Sequence, residues 1–182
     1  MNGAAAMKFI LAQTVGVLTA VSSLVFVQFK EPKYILLGQF LSNGLSAVSY
    51  GLLGSLSGAW ICILASVQTV WIYFLNRKKG PGRAEKKILV SLLFAAAYII
   101  GTVIVYKGWA DIISCVCAML FVLTIIQERS GNMRIVIMIN MVLWIIFDLA
   151  SGAYANMLTH GGTLVSTVTA LLRLDKKPAE NN

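Results

Sequence analysis

The chain has 182 residues, 58% hydrophobic and 12% charged, with 15 Lys and Arg against 7 Asp and Glu for a net charge of +8. So apolar a composition excludes an ordinary soluble domain. Most basic residues sit in turns between apolar stretches, which assigns the charge to membrane topology and anionic lipid and predicts no nucleic-acid partner.

Seven apolar stretches follow one another, at roughly 9–29, 34–53, 57–76, 88–106, 109–127, 133–151 and 154–173. Each approaches the ~20 residues that a helix needs to cross ~30 Å of hydrocarbon. The first is longer than the usual signal-peptide core and only Lys8 precedes it, so an uncleaved helix is expected. The second carries Asn43 and, seven residues on and on the same face, Tyr50. It ends at Gly54-Ser55-Leu56-Ser57-Gly58, a tight turn whose GxxxG spacing is no evidence for a dimer helix.

The third stretch holds Trp60, Cys62, Ser66, Gln68 and Trp71, with both tryptophans at the interfacial belts. The segment Arg77–Lys87, containing Gly80-Pro81-Gly82, reads as a turn-rich linker and is the longest connection. The fourth stretch carries no marked feature. The fifth opens with Trp109 and Asp111, an acid placed for the helix dipole, and contains Cys115 and Cys117. With Cys62 these make an odd set inside spans, predicting small buried side chains and neither disulfides nor a metal site. The sixth carries Asn140, Trp144, Phe147 and Asp148. The seventh is the most polar, with Asn156, Thr159, His160, Gly161, Gly162, Thr163 and Ser166.

Thirteen of the 15 basic residues fall in every second gap, and the alternate gaps hold Lys8 and Lys107. The positive-inside rule turns this into seven crossings, with the N-terminus outside and the tail 174–182 in the cytoplasm. A seventh stretch that failed to cross would degrade the split to 10 against 5. So polar a spanning helix must be shielded by its neighbours or line a cavity.

Spans 2–3 and 6–7 align without gaps at an offset of 97 residues, setting Asn43 on Asn140, Tyr50 on Phe147, Gly54 on Ser151 and Thr69 on Ser166. Spans 1 and 5 each end in a short basic turn, Gln28-Phe29-Lys30 and Gln127-Glu128-Arg129. The expected fold is all-α: one membrane domain over 1–182, arranged 3+1+3, with a triple-helix repeat at 9–76, a linker helix at 88–106 and a second repeat at 109–173. The single linker helix makes the repeats parallel.

This plan resembles that of the SWEET sugar facilitators and the PnuC-type vitamin transporters. The wording of the chain is similar to the YgjV family of bacterial inner membrane proteins. The resemblance rests on Ala12-Gln13-Thr14-Val15-Gly16-Val17, on Tyr50-Gly51-Leu52-Leu53-Gly54 with Gly58-Ala59, and on Trp144-Ile145-Ile146-Phe147-Asp148 before Gly152. It covers most of the chain and implies a fold and an inner-membrane location, not a substrate. SWEET-type facilitators carry helix prolines thought to act as hinges; here Pro32, Pro81 and Pro178 lie in turns or the tail. The PQ dipeptide of related loop proteins is absent as well.

Asn43 and Asn140 lie about 10 to 14 Å deep at ~1.5 Å per residue, where an amide needs protein partners. Below Tyr50 on one side and Trp144 on the other, they suggest a site for a small polar organic solute, held by stacking and hydrogen bonds. Gln68 and Thr163 supply further walls. His160 and Asp148 are placed as gating or coupling groups, with Asp148 near the outer end of span 6 and kept ionised by partial hydration. Gly161-Gly162 permits close packing or local unwinding. The expected function is a facilitator working by alternating access, with the bilayer and a small solute as partners. The chain shows no signature of a homo-oligomer interface, though such folds do oligomerise. The rival is a non-transporting scaffold or sensor whose polar residues hold helices together. Enzyme motifs and cofactor-binding motifs are missing, so neither catalysis nor a cofactor is expected.

Overall fold

A computed structural model describes residues 3–27, 32–77, 82–127 and 130–174. Lys30, Lys78, Lys79, Arg129, Lys176, Lys177, Pro81, Pro178 and the tail from 175 lie outside the described residues. The described chain forms seven helices: α1 (Gly3–Val27), α2 (Pro32–Leu53), α3 (Leu56–Arg77), α4 (Arg83–Val105), α5 (Trp109–Ile126), α6 (Ser130–Ser151) and α7 (Tyr154–Leu174).

Five of them, α1, α3, α4, α5 and α6, are long and apolar enough to cross a membrane. The other two of the seven expected spans, α2 and α7, fall short of that measure. Both have the length but are diluted by Ser42, Asn43, Ser46 and Ser49 in one and by Asn156, Thr159, His160 and Thr163 in the other. The linker is corrected, because α4 begins at Arg83 and takes Lys86 and Lys87 into its first turns.

Each helix packs on its neighbours in sequence from α1 to α3 and from α5 to α7. Two further contacts, α1 with α7 and α3 with α5, close a ring of six helices, and α4 packs on α3 and α5 from outside. Small residues set these approaches. A Cβ on Gly16 of α1 would stand 2.7 Å from the Ala155 Cβ of α7, and one on Gly162 would meet Leu24 at 3.1 Å. Helix α7 runs unbroken through Gly161-Gly162, so the pair does not unwind it, and of the two it is Gly162 that makes a close approach. Trp60 fills the space over Gly101 of α4, where a Cβ would collide with the indole, and its Nε1 donates to the Ala97 carbonyl at 3.3 Å.

The turns after α2 and α6 are built alike. Gly54 and Gly152 take φ of +76° and +71°, the left-handed conformation that glycine adopts without Cβ strain. In the first turn the Gly54 and Ser55 amides donate to the Gly51 and Tyr50 carbonyls. In the second, the Gly152 and Ala153 amides donate to the Leu149 and Asp148 carbonyls. The two turns are therefore in register at 98 residues, the separation of Tyr50 and Asp148. Helices α2 and α6, of 22 residues each, begin and end at that spacing, and α3 and α7 begin at it. The sequence alignment at 97 is thus off by one. Tyr50 pairs with Asp148 and not Phe147, Gly54 pairs with Gly152 and not Ser151, and Asn43 pairs with Met141 and not Asn140.

Candidate functional site

Asp148 stands three residues before the end of α6, and burial there is complete. The expected hydration of its carboxylate is therefore corrected: protein groups take the place of water. The Tyr50 hydroxyl on α2 donates to Oδ1 at 2.6 Å, and Oδ2 meets His160 Nδ1 on α7 at 2.6 Å. The Tyr50 contact has a fixed direction, phenol to carboxyl, whereas the role of His160 Nδ1 depends on the imidazole tautomer.

Aromatic rings enclose this node. Trp144 lies one turn before Asp148 and stacks on Tyr50 at 5.9 Å and on His160 at 5.3 Å. Phe147 meets both Tyr50 and Trp144 edge-on at 5.4 Å. Gly58 makes the room: a Cβ there would come within 2.8 Å of the Phe147 ring and 3.1 Å of Tyr50. Trp144 is buried and Tyr50 fully so, which leaves neither ring a face to offer a solute. The expected stacking of a solute on these two rings is corrected for this conformation, in which they close the end of the bundle.

The other predicted residues fall into two groups. Asn140 is buried one turn before Trp144, its Oδ1 without a hydrogen-bond partner. Asn43 is half-buried on α2, and no hydrogen bond joins it to Asn140 among the described residues. Thr163, one turn beyond Thr159, donates to the Thr159 carbonyl at 2.8 Å and lies 3.4 Å from the Ser23 hydroxyl of α1. Gln68 belongs elsewhere: its Oε1 accepts from Tyr98 of α4 at 2.7 Å, so it faces the fourth helix and not the Asp148 node.

Three further polar residues lie at this end of the bundle. Gln13 of α1 reaches the turn between α6 and α7, donating to the Gly152 carbonyl and accepting from the Ala155 amide, both at 2.9 Å. Asp111, at the same 98-residue register as Gln13, does the matching work at α5. Its carboxylate accepts from the Lys107 and Gly108 amides at 2.7 and 2.9 Å and from the Ser57 hydroxyl of α3. The expected helix-terminal role of Asp111 therefore extends to a contact between helices. Asn156 is fully buried with neither side-chain atom hydrogen-bonded, close to the Tyr50 hydroxyl and to Gly16. A polar residue inside an apolar span was the available signal for Gln13 and Asn156.

Among the described residues no group of three or more His, Cys, Asp or Glu is placed to hold a metal ion. The cysteines are free; Cys62 and Cys117 are buried and Cys115 partly so. A cavity of about 400 Å³ between α4 and α5, lined by Ile99, Thr102, Val103, Tyr106, Ile112 and Cys115, includes none of the predicted site residues.

Long apolar helices with exposed aliphatic flanks and polar groups turned inward define an integral membrane protein. A family model described as a bacterial inner membrane protein, Imp-YgjV, matches residues 10–178, and the chain belongs to that family. No curated protein and no solved structure gave a match.

Proposed function

We propose that the protein is a carrier and not an enzyme, moving a small polar organic solute across the inner membrane by alternating access between two parallel triple-helix units, α1–α3 and α5–α7. The observation that carries this reading is the shared register of 98 residues at both turns, joined by the Tyr50–Asp148 bond across the ring. The contacts α1–α7 and α3–α5 are equivalent under that register, which supports two units meeting along two matched seams. In this reading all seven helices cross, because α2 and α7 are each packed between two neighbours and joined to one by a tight turn. The N-terminus is outside, and the Asp148 node is the closed outer gate. The solute site lies beneath it, between Asn43, Asn140 and Thr163.

The test is a thermal-shift screen of the purified protein against small metabolites, followed by flux in proteoliposomes. A ligand at 100 times its Kd should stabilise the folded state by about 2.7 kcal/mol. Binding and flux should both be lost in Asn43→Ala/Asn140→Ala; survival of both would refute the residue assignment. A second reading, a scaffold without transport, is favoured by the burial of Trp144 among Tyr50, Phe147 and His160. It predicts stability losses in the same variants and no flux for any solute.

A further inference from the structure

We propose that the groove between α4 and α5 binds one phospholipid with an anionic headgroup. The inference uses only the membrane placement of the helices and does not depend on transport. Ile99, Thr102 and Val103 of α4, Tyr106 of the following turn, and Ile112 and Cys115 of α5 line this space of about 400 Å³. Val103 and Ile112 are more than half exposed, so the groove opens outward to the acyl chains of the bilayer. Two polar groups set it apart from an ordinary lipid-facing surface.

The first is Thr102. The other eight threonines each donate to the carbonyl four residues back, the local acceptor that a helix offers a hydroxyl. Thr102 makes no such bond: it is 5% exposed, and its hydroxyl has no partner among the described residues. An unpaired buried hydroxyl is costly, and an acceptor brought by a ligand relieves it. The second group is Lys107, exposed in the turn 106–108 that joins the two walls. Its ammonium forms no ion pair among the described residues. The neighbouring Asp111 carboxylate has both oxygens engaged, by the Lys107 and Gly108 amides and the Ser57 hydroxyl. In the alternating charge pattern Lys107 is one of two exceptions, a cation in a gap where cations are otherwise rare.

Along α4 the chemistry runs in a phospholipid's order. A cation stands at the rim, a hydrogen-bond donor about 4.5 Å inside the helix end, and hydrocarbon at about 9 Å, given ~1.5 Å per residue. These match headgroup, ester carbonyl and acyl chain. Tyr106 and Trp109, both exposed, flank the turn as interfacial aromatics do. A second copy docked through its own apolar flank would answer neither polar group.

Native mass spectrometry of the full-length protein tests this, with phosphatidylglycerol or phosphatidylethanolamine of the same acyl chains titrated in mild detergent. Val103→Trp fills the exposed mouth of the groove and should remove one bound lipid from the stoichiometry. Lys107→Gln should weaken phosphatidylglycerol at that site by about fivefold, the weight of one lysine at an anionic surface, and leave phosphatidylethanolamine unchanged. Thr102→Val should weaken both lipids by about two- to tenfold, the loss of one hydrogen bond, since both carry the ester. The melting temperature of that variant without lipid should not fall; a fall makes the hydroxyl structural and overturns the ester contact. Phosphatidylglycerol binding undiminished by Val103→Trp and Lys107→Gln places the lipid on basic turns elsewhere and overturns the proposal. So does a dimer that Val103→Trp dissociates, because a second copy then covers the groove. Each of these results leaves the carrier reading where it stands.

Discussion

Tyr50 and Asp148 occupy the same position in two matching helix ends, and the hydroxyl of one donates to the carboxylate of the other at 2.6 Å. Each is the residue whose carbonyl accepts the last amide of its turn, from Ser55 and from Ala153. The chain thus uses one backbone position twice, with a donor side chain in the first copy and an acceptor in the second. Two identical residues would serve less well: paired phenols lack a charged acceptor, and paired carboxylates repel each other.

Tyr50→Phe keeps the ring stack on Trp144 and removes the hydroxyl, leaving Asp148 Oδ1 buried without its donor. Abandoning a buried acceptor costs about 1–3 kcal/mol, more when it is charged. Thermal unfolding in detergent should show that loss, and a melting temperature equal to that of the parent protein would contradict it.

Gly58→Ala places a methyl against the Phe147 and Tyr50 rings, and neither ring has space to retreat. Overpacking of this kind costs about 1–3 kcal/mol. Gly51→Ala on the preceding helix meets nothing within 4 Å and gains helix propensity, so it should be neutral or stabilising by up to about 1 kcal/mol. The two variants, compared in one unfolding experiment, separate crowding from any general intolerance of these helices to alanine.

Gly54→Ala and Gly152→Ala each force a Cβ into the left-handed region, at a cost of about 1–2 kcal/mol. Because the two turns share their hydrogen bonding, the penalties should agree to within a few tenths of a kcal/mol. A large inequality in paired unfolding curves would show that the two ends do not bear equivalent loads.

Gln13→Leu takes a donor from the Gly152 carbonyl and an acceptor from the Ala155 amide at the start of α7. Hydrogen exchange, read by mass spectrometry, should rise across the α6–α7 turn and leave the α2–α3 turn unchanged. Ser57→Ala, which removes a donor from Asp111, should act on the α3–α5 contact instead.

Helix number and approximate bounds were legible in the sequence because apolar runs of about 20 residues leave little freedom. The register between the two halves was not. One apolar residue resembles the next closely enough that a shift by one still aligns, and it brings Asn43 onto Asn140. Hydrogen bonding at Gly54 and Gly152 settles the offset, and residue identity does not encode it. The proximity of Asp148 and His160 was legible from their positions near one end of adjacent helices. The burial of Asp148 was not, since it depends on Tyr50 arriving from α2 and on Gly58 leaving room for Phe147. Gln68 was misplaced for a similar reason: its polarity marked it as a partner-seeker, but the partner, Tyr98, sits on the helix outside the ring.

The position of α4 makes the two seams unequal. It lies across the α3–α5 seam, keyed to α3 by Trp60 over Gly101 and by Tyr98 on Gln68, whereas α1 meets α7 through Gly16, Ala155, Leu24 and Gly162. One edge of the ring is bound like the spine of a book, and the other is held by small-residue contacts and the Gln13 clamp. In the carrier reading proposed above, relative motion of the two halves swings about the spine. Labels on α1 and α7 should separate by more than labels on α3 and α5 in any state that differs from this one.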